Sequence, residues 1–199
     1  ILPVAYLAVI SAVIVHELLG HGLVAALLGG VFSGFGILVD GMGWAMIDLS
    51  TMEPTRMLLV LLGGAFFTNL FSAVFFMLSM RFRKYYLPSM TFLFFAFAFL
   101  MDGVPYFFWD AIYIGGIGDV SNILKIYPSE GLKSFIIVFT AFFGLAGIYF
   151  FNCFFYKRTV IRFAAKEKFQ LTERLTIAVM IFAIQALGWI SFDWKQLIP

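Results

Sequence analysis

The sequence predicts an all-α polytopic membrane protein of about five transmembrane helices, with a short membrane-associated β-hairpin after the first helix. Three observations predict it. The 199 residues are 63% hydrophobic and only 12% charged, whereas soluble domains are near half apolar and about a quarter charged. Five apolar runs, near 3–28, 57–80, 88–113, 133–156 and 175–194, approach or exceed the roughly 20 residues that cross a bilayer as a helix, and charges, Gly or Pro close each one. Between the first two, GFGILVDGMGWAMIDL (residues 34–49) sets two apolar, β-prone runs around Asp40-Gly41, a dipeptide suited to a tight hairpin turn.

The spans orient one another through charge. The loops at 81–84 and 157–174 hold nine of the 13 Lys and Arg residues, so the positive-inside bias puts both loops and the N-terminus in the cytoplasm of a multi-pass protein of the cell membrane. Spans one, three and five then run outward. The hairpin falls on the outer side, where it is a packed flap or an edge strand for an extended substrate. We expect a single integral membrane domain over 1–199, with the core of a candidate metal site in about 1–113 and additional transmembrane helices over 133–194. The loop KRTVIRFAAKEKFQLTER alternates basic and apolar residues, so it either lies on an anionic leaflet or is a solvated connector. The Phe-rich runs FLFFAFAF and FFNCFFY suit lipid-facing and helix-packing surfaces.

Composition also excludes several classes. A single cysteine, Cys153, rules out an internal disulfide and a Cys-rich zinc finger. A net charge of +2 is too small and too scattered for nucleic-acid binding. Two histidines are too few for the histidine boxes of a di-iron hydroxylase. The chain begins at Ile1 in apolar sequence with no basic stretch before it, which suggests a trimmed piece rather than a cleavable signal peptide.

Ionisable groups at bilayer depth are costly and must be paired, hydrated or metal-bound. His16, Glu17 and His21 lie in the first span, in SAVIVHELLGHGLVAALLGG (residues 11–30), and counting inward from the same side puts Asp102 of the third span at matching depth. Asp110 falls at the outer end of that span, and Asp119, in GGIGDVSN, is expected outside altogether. Two imidazoles and a carboxylate suit Zn²⁺ with a fourth position left for water. Glu17 would then be the general base. The same four groups could instead satisfy one another as a proton relay or a structural cluster.

The histidine spacing needs explaining. Residues five apart on a regular helix point about 140° apart, too far to share one metal. A π-bulge brings i+5 back near i, and Gly20 and Gly22 make one plausible. Alternatively the helix stays regular and Glu17 and His21, four apart, become the ligands. The bulge is preferred because it keeps Glu17 free as the base.

HELLGH, the apolar hairpin, LLGGAFFTNLFSA and FLMDGVP, in that order over roughly 11–110, resemble the site-2 protease (M50-like) family of intramembrane zinc metalloproteases. The resemblance implies His16, His21 and Asp102 as zinc ligands, Glu17 as general base and Asn69 as a substrate-backbone contact. It also implies a transmembrane protein or peptide as substrate, cut in or near its membrane segment. Three features depart from the family pattern: HExxxH replaces HExxH, Ala65 stands where the family has Pro, and the extended Asn-Pro lead into Asp102 is missing. A cation or proton transporter, or a membrane scaffold without catalysis, would use the same buried cluster.

Overall fold

A computed structural model describes residues 2–38, 41–112 and 118–163. The expected fifth span at 175–194, and Asp40 of the hairpin turn, lie outside the described residues. Within them, four helical stretches are long and apolar enough to cross a membrane: Pro3–Leu28, Pro54–Arg81, Tyr86–Ile112 and Glu130–Phe154. The protein is a helical membrane protein with one small two-stranded antiparallel hairpin.

The first span is composite. α1 (Leu2–Ile14) runs without interruption into a nine-residue π-helix (Val15–Leu23), which returns to α geometry in α2 (Val24–Leu28). α2 ends where Gly29 takes a left-handed φ of 92°, a conformation that a side chain disfavours and that commonly stops helices. The chain then enters β1 (Val31–Ile37), turns at Gly41 and returns as β2 (Gly43–Asp48), with a bulge between Phe32 and Gly34. The hairpin lies on the π-helix: Phe32 packs over Gly22, and Gly43 sits against Val13 and Glu17.

α3 (Pro54–Arg81) starts with Pro at its first position, where no hydrogen bond is lost. It packs against the π-helix on one side and α4 (Tyr86–Met101) on another. The contact with the π-helix is backbone on backbone, because Gly20 stands directly against Gly63 and Gly64. Small residues allow this approach, which is how membrane helices gain packing without a hydrophobic driving force. α3 and α4 are also joined by buried hydroxyls: Ser72 Oγ donates to the Ala96 carbonyl (2.7 Å) and Ser79 Oγ to that of Ser89 (2.9 Å).

The third span breaks at Asp102-Gly103 and resumes as α5 (Val104–Ile112). Pro105 has no N–H to donate back to the carbonyl of Met101, so an unbroken ladder is impossible there. α6 (Asp119–Ile126), too short to span, packs against α3 and α5. α7 (Glu130–Phe163) covers α4 and α5.

The Gly20–Gly63 contact predicts a measurable asymmetry. A Cβ at Gly63 meets the Gly20 carbonyl, which cannot yield, whereas one at Gly131 meets nothing nearer than Ser129 Oγ at 3.7 Å. Gly63→Ala should therefore cost about 1–3 kcal/mol or more, and Gly131→Ala should be neutral or stabilising by up to ~1 kcal/mol. Denaturation midpoints in detergent would check both.

Candidate metal centre

The π-helix decides the site. With its hydrogen bonds running to the fifth residue back, residues five apart stack, and the His16 and His21 rings meet edge to face with centroids 4.8 Å apart. Gly20 lets the widened turn stand directly against α3, because it brings no side chain to that contact. Both histidines are buried, at 4% and 5% exposure, so their polar atoms need partners inside the protein.

Those partners come from three other elements. His21 Nδ1 donates to the Val60 carbonyl of α3 at 2.8 Å, which leaves Nε2 as the free face of the ring, 3.2 Å from Asp119 Oδ1. His16 Nε2 lies 3.1 Å from Asp119 Oδ2. On its other side, His16 Nδ1 lies 3.1 Å from Asp102 Oδ2. That contact is close but out of line: both atoms are buried without an aligned hydrogen-bond partner among the described residues. Gly64 backs the His16 ring, and a Cβ there would strike Nε2.

One side-chain atom each from His16, His21 and Asp119 lies within 4.8 Å of the others. These residues fit a zinc ion. Two imidazole nitrogens and a carboxylate are its ligand types, and a tetrahedral site with bonds of about 2.0–2.1 Å has edges of roughly 3.3 Å. Each Nε2 lies about one such edge from its nearer oxygen of the carboxylate, His16 from Oδ2 at 3.1 Å and His21 from Oδ1 at 3.2 Å. The Val60 carbonyl on Nδ1 of His21 is the outer-shell partner that usually fixes a ligand's tautomer. In the metal-free protein, burial would raise the Asp119 carboxyl, but the protonated rings of His21 and His16 beside it outweigh burial and hold the group below the usual carboxylate range.

Asp119 was expected outside the membrane, and the structure brings it to both histidines instead. Counting depth along the sequence assumes that the chain keeps travelling outward after the third span, but α6 packs back against α3 and α5. Asp102, expected as the third ligand beside the histidines, lies against Nδ1 of His16, on the opposite side of the ring from the nitrogen that faces Asp119. Glu17 is buried next to the histidines under Gly43 of β2. Asn69 turns into its own helix, where Nδ2 donates to the Ala65 carbonyl at 2.6 Å, and it packs against Gly103 at the break in the third span.

Tyr106 escaped the sequence reading, and Asp110 was placed at the outer end of its span without a role. Tyr106 stacks edge-on against His16, with centroids 5.3 Å apart, and its hydroxyl accepts the Asp119 N–H at 3.3 Å. Asp110 holds the first turn of α6. No signal in the sequence marks either contact, because the partners are a ring face and backbone amides of α6.

The Val60 contact makes the His21 tautomer a testable feature. Side-chain ¹⁵N spectra should show Nδ1 of His21 protonated and Nε2 unprotonated in the zinc-loaded protein. A protonated Nε2 would contradict this geometry.

The Peptidase M50B-like family matches residues 2–192, a stretch that includes the π-helix, the hairpin and Asp119. Among curated proteins and solved structures, nothing matches the chain. With its transmembrane helices, its hairpin after the first span and its buried His-Glu segment, the chain belongs to the Peptidase M50B-like family, in the site-2 protease group of integral, multi-pass membrane proteins.

Proposed function

We propose that the protein is an intramembrane zinc metalloprotease, hydrolysing a peptide bond in or near a transmembrane segment of a membrane-protein substrate. The observation that carries this reading is the π-helix, which turns an unpromising histidine spacing into two imidazoles facing one carboxylate. In this reading His16, His21 and Asp119 hold the zinc. Asp102 lies beside Nδ1 of His16, on the side of the ring away from Asp119, as a charge neighbour rather than an aligned hydrogen-bond partner. The N-terminus faces the cytoplasm of the cell membrane.

Zinc bound there supplies a Lewis acid for the scissile carbonyl and lowers the pKa of water. Glu17, adjacent in sequence to His16 but not among the three ligands, takes the proton from the attacking water and delivers it to the leaving amine. The Val60 carbonyl keeps His21 in the tautomer that leaves Nε2 open, the Asp102 carboxylate beside Nδ1 of His16 favours a proton on that nitrogen, and Tyr106 steadies Asp119 through its backbone. The substrate must arrive extended or locally unwound, because a helix ties up its own peptide carbonyls. The hairpin across Glu17 limits how bulk water and substrate approach the base.

Zinc content and turnover together test this reading. In proteoliposomes, the zinc-loaded protein should cut a quenched-fluorescent transmembrane peptide that carries helix-breaking residues near its centre. Glu17→Gln should retain about one zinc per chain and lose about 10²–10⁴-fold in rate. Zinc binding by the parent with no cleavage above the Glu17→Gln level would instead favour a scaffold without catalysis.

A further inference from the structure

The start of α6 is held by a residue that does not belong to it. An α-helix leaves its first backbone N–H groups without intrahelical partners. The residue before α6 is Gly118, which has no side chain to cap them. Asp110 of α5 supplies the acceptor instead: its Oδ2 accepts the N–H of Val120 at 2.6 Å and that of Ser121 at 3.2 Å. Its Oδ1 accepts the Ser121 hydroxyl at 2.9 Å. A carboxylate at a helix N-terminus is also favoured by the helix dipole. Gly118 lies so close that a Cβ there would fall on the Asp110 carboxylate, so only glycine admits this arrangement.

Asp119 is the first residue of α6 and is therefore gripped from two sides. Its own N–H donates to Tyr106, and the next two amides are held by Asp110. Tyr106 and Asp110 are four apart on α5 and share one face of it. We infer that Asp110 is a positioning residue for the metal centre: by anchoring α6 it fixes the Asp119 carboxylate between His16 and His21 and thereby sets zinc affinity. The inference rests on the zinc reading above. Without Asp110, the carboxylate would have to be ordered at the moment of binding, and affinity would fall.

The test uses the full chain and reads zinc affinity by competition with a chromophoric chelator, with amide exchange at Val120 and Ser121 in the zinc-free protein. Asp110→Ala and Gly118→Ala should weaken zinc 10–100-fold, the range found for outer-shell partners, and should speed exchange at both amides. Asp110→Asn, which keeps an acceptor oxygen, should recover most of the affinity. Ser72→Ala, which removes a buried hydrogen bond between α3 and α4, should lower the unfolding midpoint and leave zinc affinity unchanged. Parental affinity in Asp110→Ala, or an equal loss in Ser72→Ala, would overturn the inference. If Asp110→Ala does not fold, Ser121→Ala removes only the hydroxyl contact. A several-fold loss of affinity then supports the inference and no loss overturns it. Parental zinc affinity in Asp119→Ala would remove the zinc reading itself and this inference with it, whereas zinc lost in Asp119→Ala but kept in Asp110→Ala would sink the inference alone.

Discussion

Two histidines five residues apart on one membrane helix must face the same carboxylate, and most of the structure around them follows from that constraint. On a regular helix they would point about 140° apart. The chain gives up α geometry over Val15–Leu23 and takes π hydrogen bonding instead, an arrangement that is rare and, where it occurs, frequent at functional sites. The distortion persists because several contacts need it at once. His16 and His21 both reach Asp119, His21 reaches the Val60 carbonyl, and Gly20 closes against Gly63 and Gly64. A return to α geometry would separate the rings and strand buried polar atoms, at several kcal/mol for groups in an apolar surround.

The elements around the π-helix each contribute one group to the centre. α3 offers a backbone carbonyl and a glycine wall, the break between α4 and α5 offers Asp102, and α6 offers Asp119. Pro105 makes the break unavoidable and Gly103 makes room there for Asn69, so an apparent weakness in the third span is also a packed joint. The hairpin rests on the helix that carries the histidines and covers Glu17. Four chain segments distant in sequence thus meet within a few ångströms, and a single buried cation would neutralise charge that none of them could bear alone.

Much of this was legible in the residues. The first four apolar runs became the four spans, the β-prone runs after the first span became the strands of a hairpin, and the histidine spacing with its neighbouring glycines pointed to π geometry. The fifth run lies outside the described residues. Asp119 was not legible, because depth counted along a sequence presumes that each connection stays on its own side, and nothing in GGIGDVSN says that the chain turns back into the helices. Asp110 was passed over for the same reason: its partners are backbone amides of α6, which leave no trace in composition or spacing. Ala65 lies within an α3 that runs unbroken past the site.

Zinc K-edge X-ray absorption on the purified protein and on the two single-histidine variants would test the central claim most directly. The account predicts two imidazole ligands in the parent, with oxygen ligands completing a shell at about 2.0–2.1 Å, and one imidazole remaining in each of His16→Ala and His21→Ala wherever zinc is retained. A parent spectrum with a single imidazole that is unchanged in His16→Ala would contradict it. In that case Glu17 and His21 would share the metal on a regular helix, and the π-helix would have no part in holding it.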